Sequence, residues 1–382
     1  MSFEEMALWL RLQLTEGVGR STARQLLVAF GLPQQVFSQS VRALREVVTE
    51  RQAQALHATP PELDATARAT WDWLQADPGH RRLLALGDAA YPSPLLDIED
   101  PPLVLYAMGT PLAWTARMVR SVAIVGSRNP TPQGLENATQ FARALAQAGL
   151  TIVSGMATGI DTAAHTGALQ GAEPGQLATI AVVGTGLDRV YPKTNLALAR
   201  QIAHNGLLLS EFPIGTPPLA ANFPQRNRII SGLSLGTLVV EAALQSGSLI
   251  TARMAAEQGK DVFSIPGSIH STQARGCHAL IKQGAKLVES ANDVLDELRS
   301  APSPQGLAPL HADPDLLEHI GADLSPHTGL LACMGFDPAG LDILQTRSGL
   351  DTPQLQAELM ALELQGRVAR LPGGLYQRLA GI

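Results

Sequence analysis

Between residues 121 and 300, short apolar runs alternate with stretches of helical periodicity. SVAIVGS (121–127), TIVSG (151–155), TIAVVGTG (179–186), LLLSEF (207–212), GTLVVEAA (236–243) and DVFSIPG (261–267) are continuous apolar segments of strand length. Helices are expected between them over 135–148, 161–170, 194–204, from about Gln225, over 249–258 and over 275–284. Phe141, Leu145 and Ala148, for example, share one helical face. Strands that are apolar throughout, joined by helical crossovers, predict a Rossmann-like α/β fold: a parallel sheet with helices on both faces.

The flanks have a different rhythm. Residues 4–60 read as short helices, and a further helical piece surrounds Trp71 and Trp73. In LTEGVGRSTARQLLVAFG (14–31) a Gly17-Val18-Gly19 turn precedes a helix, in the manner of a helix-hairpin-helix. Such a turn either offers amides and the nearby Arg20 and Arg24 to a phosphate or packs only on its neighbours. Leu103–Ala107 reads as a short strand. At the other end, helices at Leu330-Leu331, Gly340–Thr346 and Thr352–Gln365 precede a hairpin turning at Gly373-Gly374, which makes a winged helix. The expected domains are 1–105 (helical, with connector), 106–300 (Rossmann-like), 301–320 (linker rich in Pro, Ala, His and Asp) and 321–382 (winged helix).

Composition adjusts this picture in three ways. Aromatics are only 4% of 382 residues, so the core must come from Leu, Ala, Val and Ile with close Ala/Gly packing. The formal charge of −6 argues weakly against a nucleic-acid binder, but its distribution is uneven. Residues 1–119 hold 10 Lys/Arg against 13 Asp/Glu, residues 120–300 hold 14 against 12, and residues 301–382 hold 4 against 9. Only the middle is not acidic. The third helix of the winged region has no Lys or Arg before Arg367, so a protein-contact or structural role is expected of it rather than phosphate contact. Cys277 and Cys333 lack zinc-site spacing, no apolar run reaches the roughly 18 residues of a membrane span, and the first residues lack a basic leader. A cytoplasmic location without membrane partner is expected.

Candidate chemistry sits at the strand ends, where ligands bind in open parallel sheets. In VGSRNPTPQG, Gly126 permits a tight turn, Ser127 and Arg128 follow where the sheet opens, and a helix N-terminus offers free amides. SGMATGIDTAAH brings Ser154, Gly155 and Gly159. Its Asp161 reads as a helix cap or a partner of Arg128, and His165 as either an Asp–His pair member or an ordinary helix contact. GTGLDRVYPK supplies Arg189, Tyr191 and Lys193. In FPQRNR, Phe223 suits base stacking. Arg226 and Arg228 point in different directions, one to ligand and one to Glu211 or Glu241. Gly247 and Ser248 open another helix. Cys277 reads as a packed thiol.

There is no GxGxxG with a ribose-binding acid and no GxxxxGK[ST], so no nucleotide cofactor is expected. No metal set or complete catalytic constellation appears, and binding without turnover is favoured. A glycosidic-bond hydrolase of nucleoside monophosphates is the enzyme alternative, with Arg128 on phosphate and Glu211 or Glu241 near the ribose.

Taken in order, VAIVGSRNPTPQG, IVSGMATGIDTAAH, GTGLDRVYP, LLLSEFPIGTPPLAANFPQRNRIISG, VVEAALQSGSLITA and FSIPG resemble the DNA-processing protein A (DprA/Smf) family over about 180 residues. The segments around 91–109 and 341–379 extend the likeness to nearly the whole chain. The resemblance implies an extended Rossmann domain, a SAM-like or helix-hairpin-helix domain before it and a winged helix after it. It also implies homodimers formed through the Rossmann domain. The implied function is to bind and protect single-stranded DNA during natural transformation and to load the RecA recombinase on it. Residue by residue, it implies DNA contacts at Arg128, at Ser154, Gly155 and Gly159 with Asp161, and at Phe223, Pro224, Arg226, Asn227 and Arg228. The chain departs from the family pattern in having no lysine in PPLAAN (217–222) and in reading Gly276-Cys277-His278 where members place G-x-N.

Overall fold

The structure, a computed structural model, describes residues 1–110, 120–300 and 328–379. The expected linker, 301–320, lies outside the described residues. Six helices come first: α1 (Phe3–Leu14), α2 (Arg20–Phe30), α3 (Pro33–Phe37), α4 (Val41–Leu44), α5 (Glu50–His57) and α6 (Leu63–Ala76). Capping boxes start two of them, Ser2 with Glu5 and Thr49 with Gln52.

The strands are β1 (Arg81–Ala85), β2 (Val104–Gly109), β3 (Ser121–Val125), β4 (Thr151–Ser154), β5 (Thr179–Val182), β6 (Leu207–Ser210), β7 (Gly236–Val239), β8 (Asp261–Ser264) and β9 (Lys286–Leu287). They form one sheet in the order β1-β2-β6-β5-β4-β3-β7-β8-β9. From β6 to β9 every pairing is parallel, with Val122 opposite Ile152 and Ile124 opposite Leu238. β2 runs antiparallel to β6, and β1 antiparallel to β2. β2 coincides with the short strand expected over Leu103–Ala107, whereas β1 comes from residues that sequence patterning placed in the helical region. Short antiparallel strands with one Pro-rich connection give little periodicity of their own.

Crossovers are made by α7 (Pro132–Gln147), α8 (Ile160–Gly171), α9 (Leu196–Asn205), α10 (Asn222–Leu233), α11 (Ser248–Glu257) and α12 (Arg275–Lys282), and α13 (Ala291–Ser300) follows the last strand. Alternate residues of each strand serve opposite faces. Ala123 and Val125 pack with Ile229, Ile230 and Leu233 of α10 and Ala252 of α11. Val122 and Ile124 pack with Phe141 and Leu145 of α7, Ala164 of α8 and Val294 of α13. Each fully buried aliphatic side chain contributes about 2 kcal/mol. The scarcity of aromatics is met by close approach: a Cβ on Gly167 or Gly171 of α8 would lie 2.1 or 2.3 Å from backbone oxygens of α7. These two helices touch through glycine faces.

The C-terminal elements are α14 (Thr328–Met334), β10 (Ala339–Gly340), α15 (Leu341–Ser348), α16 (Thr352–Leu364), β11 (Val368–Leu371) and β12 (Leu375–Arg378). Three helices around a small sheet, with Leu344, Leu355, Leu359 and Tyr376 in its core, make a winged helix. Among the described residues no helix is long and apolar enough to cross a membrane.

One polar group is sunk between α8 and β5. His165 is fully buried, and its Nδ1 lies 2.7 Å from Thr179 Oγ1. Thr179 already donates its hydroxyl proton to the Ile152 carbonyl at 2.6 Å, so His165 Nδ1–H is the donor and Nε2 the unprotonated nitrogen. Asp161 does not pair with it, because its carboxylate turns to backbone amides of the preceding loop. Burial, and after it the charge of Arg226, push His165 down to about 3.

Unfolding lets His165 regain an ordinary affinity for protons. The neutral ring's contribution to stability is therefore complete above about pH 6.5 and is lost on acidification toward pH 3. Between pH 7 and pH 5 the loss is about 2 kcal/mol from this group. In urea unfolding, His165→Gln is expected to reduce the pH 7-to-5 difference by that amount, and an unchanged difference would contradict the account.

Candidate functional site

The strand order reverses at β3: the chain proceeds to β4 on one side and returns with β7 on the other. Such a reversal opens a crevice at the carboxyl ends of the two strands. A cavity of about 690 Å³ lies there, lined by the turn after β3, the segment after β7, the first turn of α11 and the start of α10. Gly126, Ser127, Arg128, Phe223, Arg226, Gly247 and Ser248 all line it.

The floor depends on two glycines with no room for a side chain. A Cβ on Gly126 would lie 2.7 Å from Ile160 and 2.9 Å from the Glu241 carbonyl oxygen. Gly159 has φ +80°, and its Cβ would lie 2.4 Å from the Ser127 carbonyl oxygen. The loop after β4 thus presses on the loop after β3. Ile160 N–H donates to the Ser127 carbonyl (3.1 Å) and Thr158 Oγ1 to the Arg128 carbonyl (3.3 Å). The backbone of Arg128 is held from below while its side chain is exposed. Its guanidinium stands 5.8 Å from the centroid of Phe223, and Tyr191 lies against the same ring at 5.5 Å. A Cβ on Gly184 would touch Phe223 at 3.1 Å, so Gly184 gives that ring its seat.

Beneath lies Arg226, only 4% exposed. Its Nη1 donates to the Val182 carbonyl at 2.6 Å, and the guanidinium occupies the space where a Cβ of Gly155 would be. Burial lowers its pKa to about 10, against the opposing pull of Asp161, so it remains a cation at neutral pH. Asp161 accepts from Gly155 N–H and Ala157 N–H, both at 3.2 Å, and burial raises its pKa. Ser154 is fully buried and donates to the Ile124 carbonyl at 2.7 Å. Ser154, Gly155 and Gly159 therefore shape the floor from below and do not line the cavity.

Three other candidates fall elsewhere. Arg228 is 6% exposed and paired with Glu211 (2.6 Å) and Asp100 (2.8 Å). Arg20 of α2 joins from the other side, contacting Glu211 (2.6 Å), Asp100 (3.3 Å) and Gln225 (3.2 Å). The two arginines and two carboxylates bolt the helical region to α10, and Arg24 donates to the Glu99 carbonyl at 3.3 Å, so both arginines of the Gly17–Gly19 hairpin are engaged internally. Lys193 is exposed outside the cavity, and Arg189, paired with Asp188 at 3.0 Å, faces a different cleft.

The helix N-terminus expected after Arg128 is also taken. Glu241 accepts from the Thr131 amide (2.9 Å) and hydroxyl (2.6 Å), and Thr131 itself caps α7. A carboxylate holds the place foreseen for a ligand's phosphate. The open helix start is that of α11, where Gly247 is exposed and Ser248 Oγ lies 2.7 Å from Ser246 Oγ. Neither Glu211 nor Glu241, the carboxylates named for a glycosidic-bond hydrolase, lines the cavity; the carboxylate that does is Asp161, which is turned to backbone amides. Cys277 is buried and its thiol pKa is raised by burial. Asn129, Asn227, Ser246, Thr251 and Gln273 also line the cavity. Asn227 belongs to the FPQRNR motif and Thr251 to the first turn of α11, whereas Asn129, Ser246 and Gln273 are ordinary loop residues with no pattern that single-sequence reading could have caught.

Comparison with known proteins bears on the whole chain. The family model described as DNA recombination-mediator protein A matches residues 82–299, and that described as DprA winged helix domain matches residues 299–374. Protein Smf of Escherichia coli (strain K12) is 38% identical over 380 residues, 97% of this chain and 95% of that protein. The DNA processing protein DprA of Streptococcus pneumoniae (strain ATCC BAA-255 / R6) is 48% identical over 210 residues, 55% of this chain and 72% of its own length. The X-ray structure of DNA processing protein A from Streptococcus pneumoniae superposes with TM-score 0.58 at 36% identity, covering 78% of this chain and 98% of that one. A structure described as giving the single-stranded DNA binding mode of DNA processing protein A from Helicobacter pylori superposes with TM-score 0.50 at 32% identity. It covers 58% of this chain and 97% of that one.

The ion cluster makes a stability prediction. Glu211→Ala leaves Arg228 buried without its closest counter-charge and is expected to lower unfolding free energy by about 3 kcal/mol. Arg20→Ala, at a half-exposed position, is expected to lower it by about 1 kcal/mol. Urea unfolding followed by circular dichroism measures both, and Glu211→Ala at wild-type stability would contradict the pairing.

Proposed function

Since this chain belongs to the DNA-processing protein A (DprA/Smf) family of DNA recombination mediators, we propose that its switch-point cavity binds single-stranded DNA. In this reading the protein protects the strand and loads the RecA recombinase on it during DNA uptake in natural transformation. It works in the cytoplasm as a homodimer formed through the Rossmann domain. The reading assigns the chain a binding role without catalysis.

The observation that carries the proposal is the arrangement at Phe223. A half-buried ring seated on Gly184, with the exposed Arg128 guanidinium 5.8 Å and the Tyr191 ring 5.5 Å from it, offers a base a stacking surface next to a phosphate partner. Buried Arg226 adds positive potential from below, and the first turn of α11 adds amides and the Ser248 hydroxyl. Arg128 supplies the direct phosphate contact. Ser127 Oγ already accepts from Asn129 N–H at 3.1 Å and contributes mainly to the turn that presents Arg128. Arg189 and Lys193 serve, in this reading, a strand leaving the cavity past Tyr191.

The winged helix lies outside the DNA path. Its α16 exposes Gln354 and Gln356 together with Met360 and Leu364, the last two one turn apart and 64% and 81% exposed. An apolar surface of that kind suits a protein partner better than a phosphate backbone.

In fluorescence anisotropy with a labelled oligothymidylate, Arg128→Ala is expected to weaken binding about tenfold and to reduce the salt slope by about one, with the thermal melt unchanged. Phe223→Ala is expected to cost about 1–3 kcal/mol of binding free energy. Wild-type affinity in both variants would overturn the proposed site. Deleting residues 306–382 is expected to leave oligonucleotide affinity within about threefold of the full chain, because the acidic tail adds no phosphate contact. A large loss on truncation would place the winged helix in the DNA path.

A further inference from the structure

Arg189, which does not line the switch-point cavity, stands at the rim of a second cleft of about 380 Å³. Its floor is apolar. Met108 of β2 and Leu208 of β6 are register partners, and Met156 and Leu187 complete the surface. Its wall is one face of α9, with Ala199, Arg200, Ala203 and His204. Arg200 and His204, one turn apart and exposed, have no ion-pair partner among the described residues. On the opposite lip Asp77 is paired with His80 at 2.9 Å.

We propose that this cleft is a second ligand site, which takes a small amphipathic anion: an aromatic ring or medium-length acyl chain bearing one carboxylate or sulfonate. The apolar body would cover the Met108–Leu208 floor, and the anionic end would meet Arg200 and His204. A nucleobase fits poorly. The floor's backbone groups are engaged in strand pairing, and the Val183 amide donates to the Leu209 carbonyl, so the floor offers a base's edge no partner. The volume suits a single small molecule.

The cleft also adjoins the switch-point cavity through consecutive residues of one loop. Met156 is the one non-glycine residue with positive φ among the described residues, at +57°, and it is 1% exposed. Met156 lines the cleft, while the next residue, Ala157, lines the switch-point cavity. Asn195, which begins α9, holds the two together by donating to the Met156 carbonyl at 3.0 Å and the Ala157 carbonyl at 3.4 Å. A ligand that displaces the Met156 side chain or α9 therefore moves the loop on which Gly159 and Arg128 rest. Occupancy of the cleft is accordingly coupled to oligonucleotide affinity, a second clause that rests on the DNA-binding reading where the first does not.

The probe is anilinonaphthalene sulfonate, titrated into the full chain with fluorescence readout and octanoate as competitor. Saturable binding of one probe per chain, displaced by octanoate, is expected. Ala203→Trp, at a half-buried position of the same wall, fills the cleft and is expected to abolish it. Arg200→Ala removes one of the two anion partners and is expected to weaken it about threefold without altering the thermal melt. Arg128→Ala is expected to leave probe binding as in wild type. Absence of saturable binding, or equal affinity in wild type, Ala203→Trp and Arg200→Ala, would overturn the site. Saturating octanoate is expected to change oligonucleotide affinity about fivefold in wild type and not in Ala203→Trp. An unchanged affinity overturns the coupling alone. A chain that binds no oligonucleotide defeats the DNA reading while the probe titration still decides the cleft.

Discussion

A guanidinium buried at the mouth of a parallel sheet sets the constraint from which the site follows. Arg226 reaches back from α10 to the Val182 carbonyl at the end of β5, and its charge sits where only a glycine, Gly155, leaves room. Removing an arginine from water is costly unless its charge is answered. Asp161 answers it from the first turn of α8, and the same carboxylate gathers the Gly155 and Ala157 amides into the loop after β4. That loop supports the Arg128 backbone through Gly159, Ile160 and Thr158. One buried charge thus fixes α10, with Phe223 on its first turn, against the loops that carry the exposed arginine.

A second ionic assembly does the same work from outside. Glu211 follows β6, Arg228 lies two residues after Arg226 on α10, and Arg20 comes from the helical region. Adjacent faces of α10 therefore serve two unlike tasks. One face turns Arg226 toward the cavity floor, and the next turns Arg228 into an ion pair that ties domains together. The ring of Phe223 stands at the edge of the first face, and its position depends on both.

Much of this order is legible in the residues. The alternation of apolar runs and helical periodicity from 121 to 300 places β3 to β8 and the helices between them, because strands covered on both faces are apolar throughout. The glycines at 126, 155 and 159 mark the loops that meet, since close backbone approach leaves no alternative residue. Two things were not legible. β1 and β2 join the sheet from a Pro-rich segment whose partner, β6, lies about a hundred residues away, and periodicity carries no information about such pairing. The division of labour among polar groups was equally hidden. Arg128, Arg226 and Arg228 look alike in a sequence, yet one is exposed, one is buried over a glycine and one is paired. Glu241, read as a paired group and a possible partner of an arginine, is paired instead with Thr131 and closes the N-terminus of α7.

Where a bound strand lies on the protein is the most direct test of the central claim. A single-stranded oligonucleotide carrying 5-iododeoxyuridine can be irradiated on the full chain and the adducts mapped by mass spectrometry. Adducts concentrated on Phe223 and Tyr191, the two rings 5.5 Å apart at the cavity, are the predicted result. Adducts confined to the winged helix or the N-terminal helices, with none at the cavity, would contradict the account.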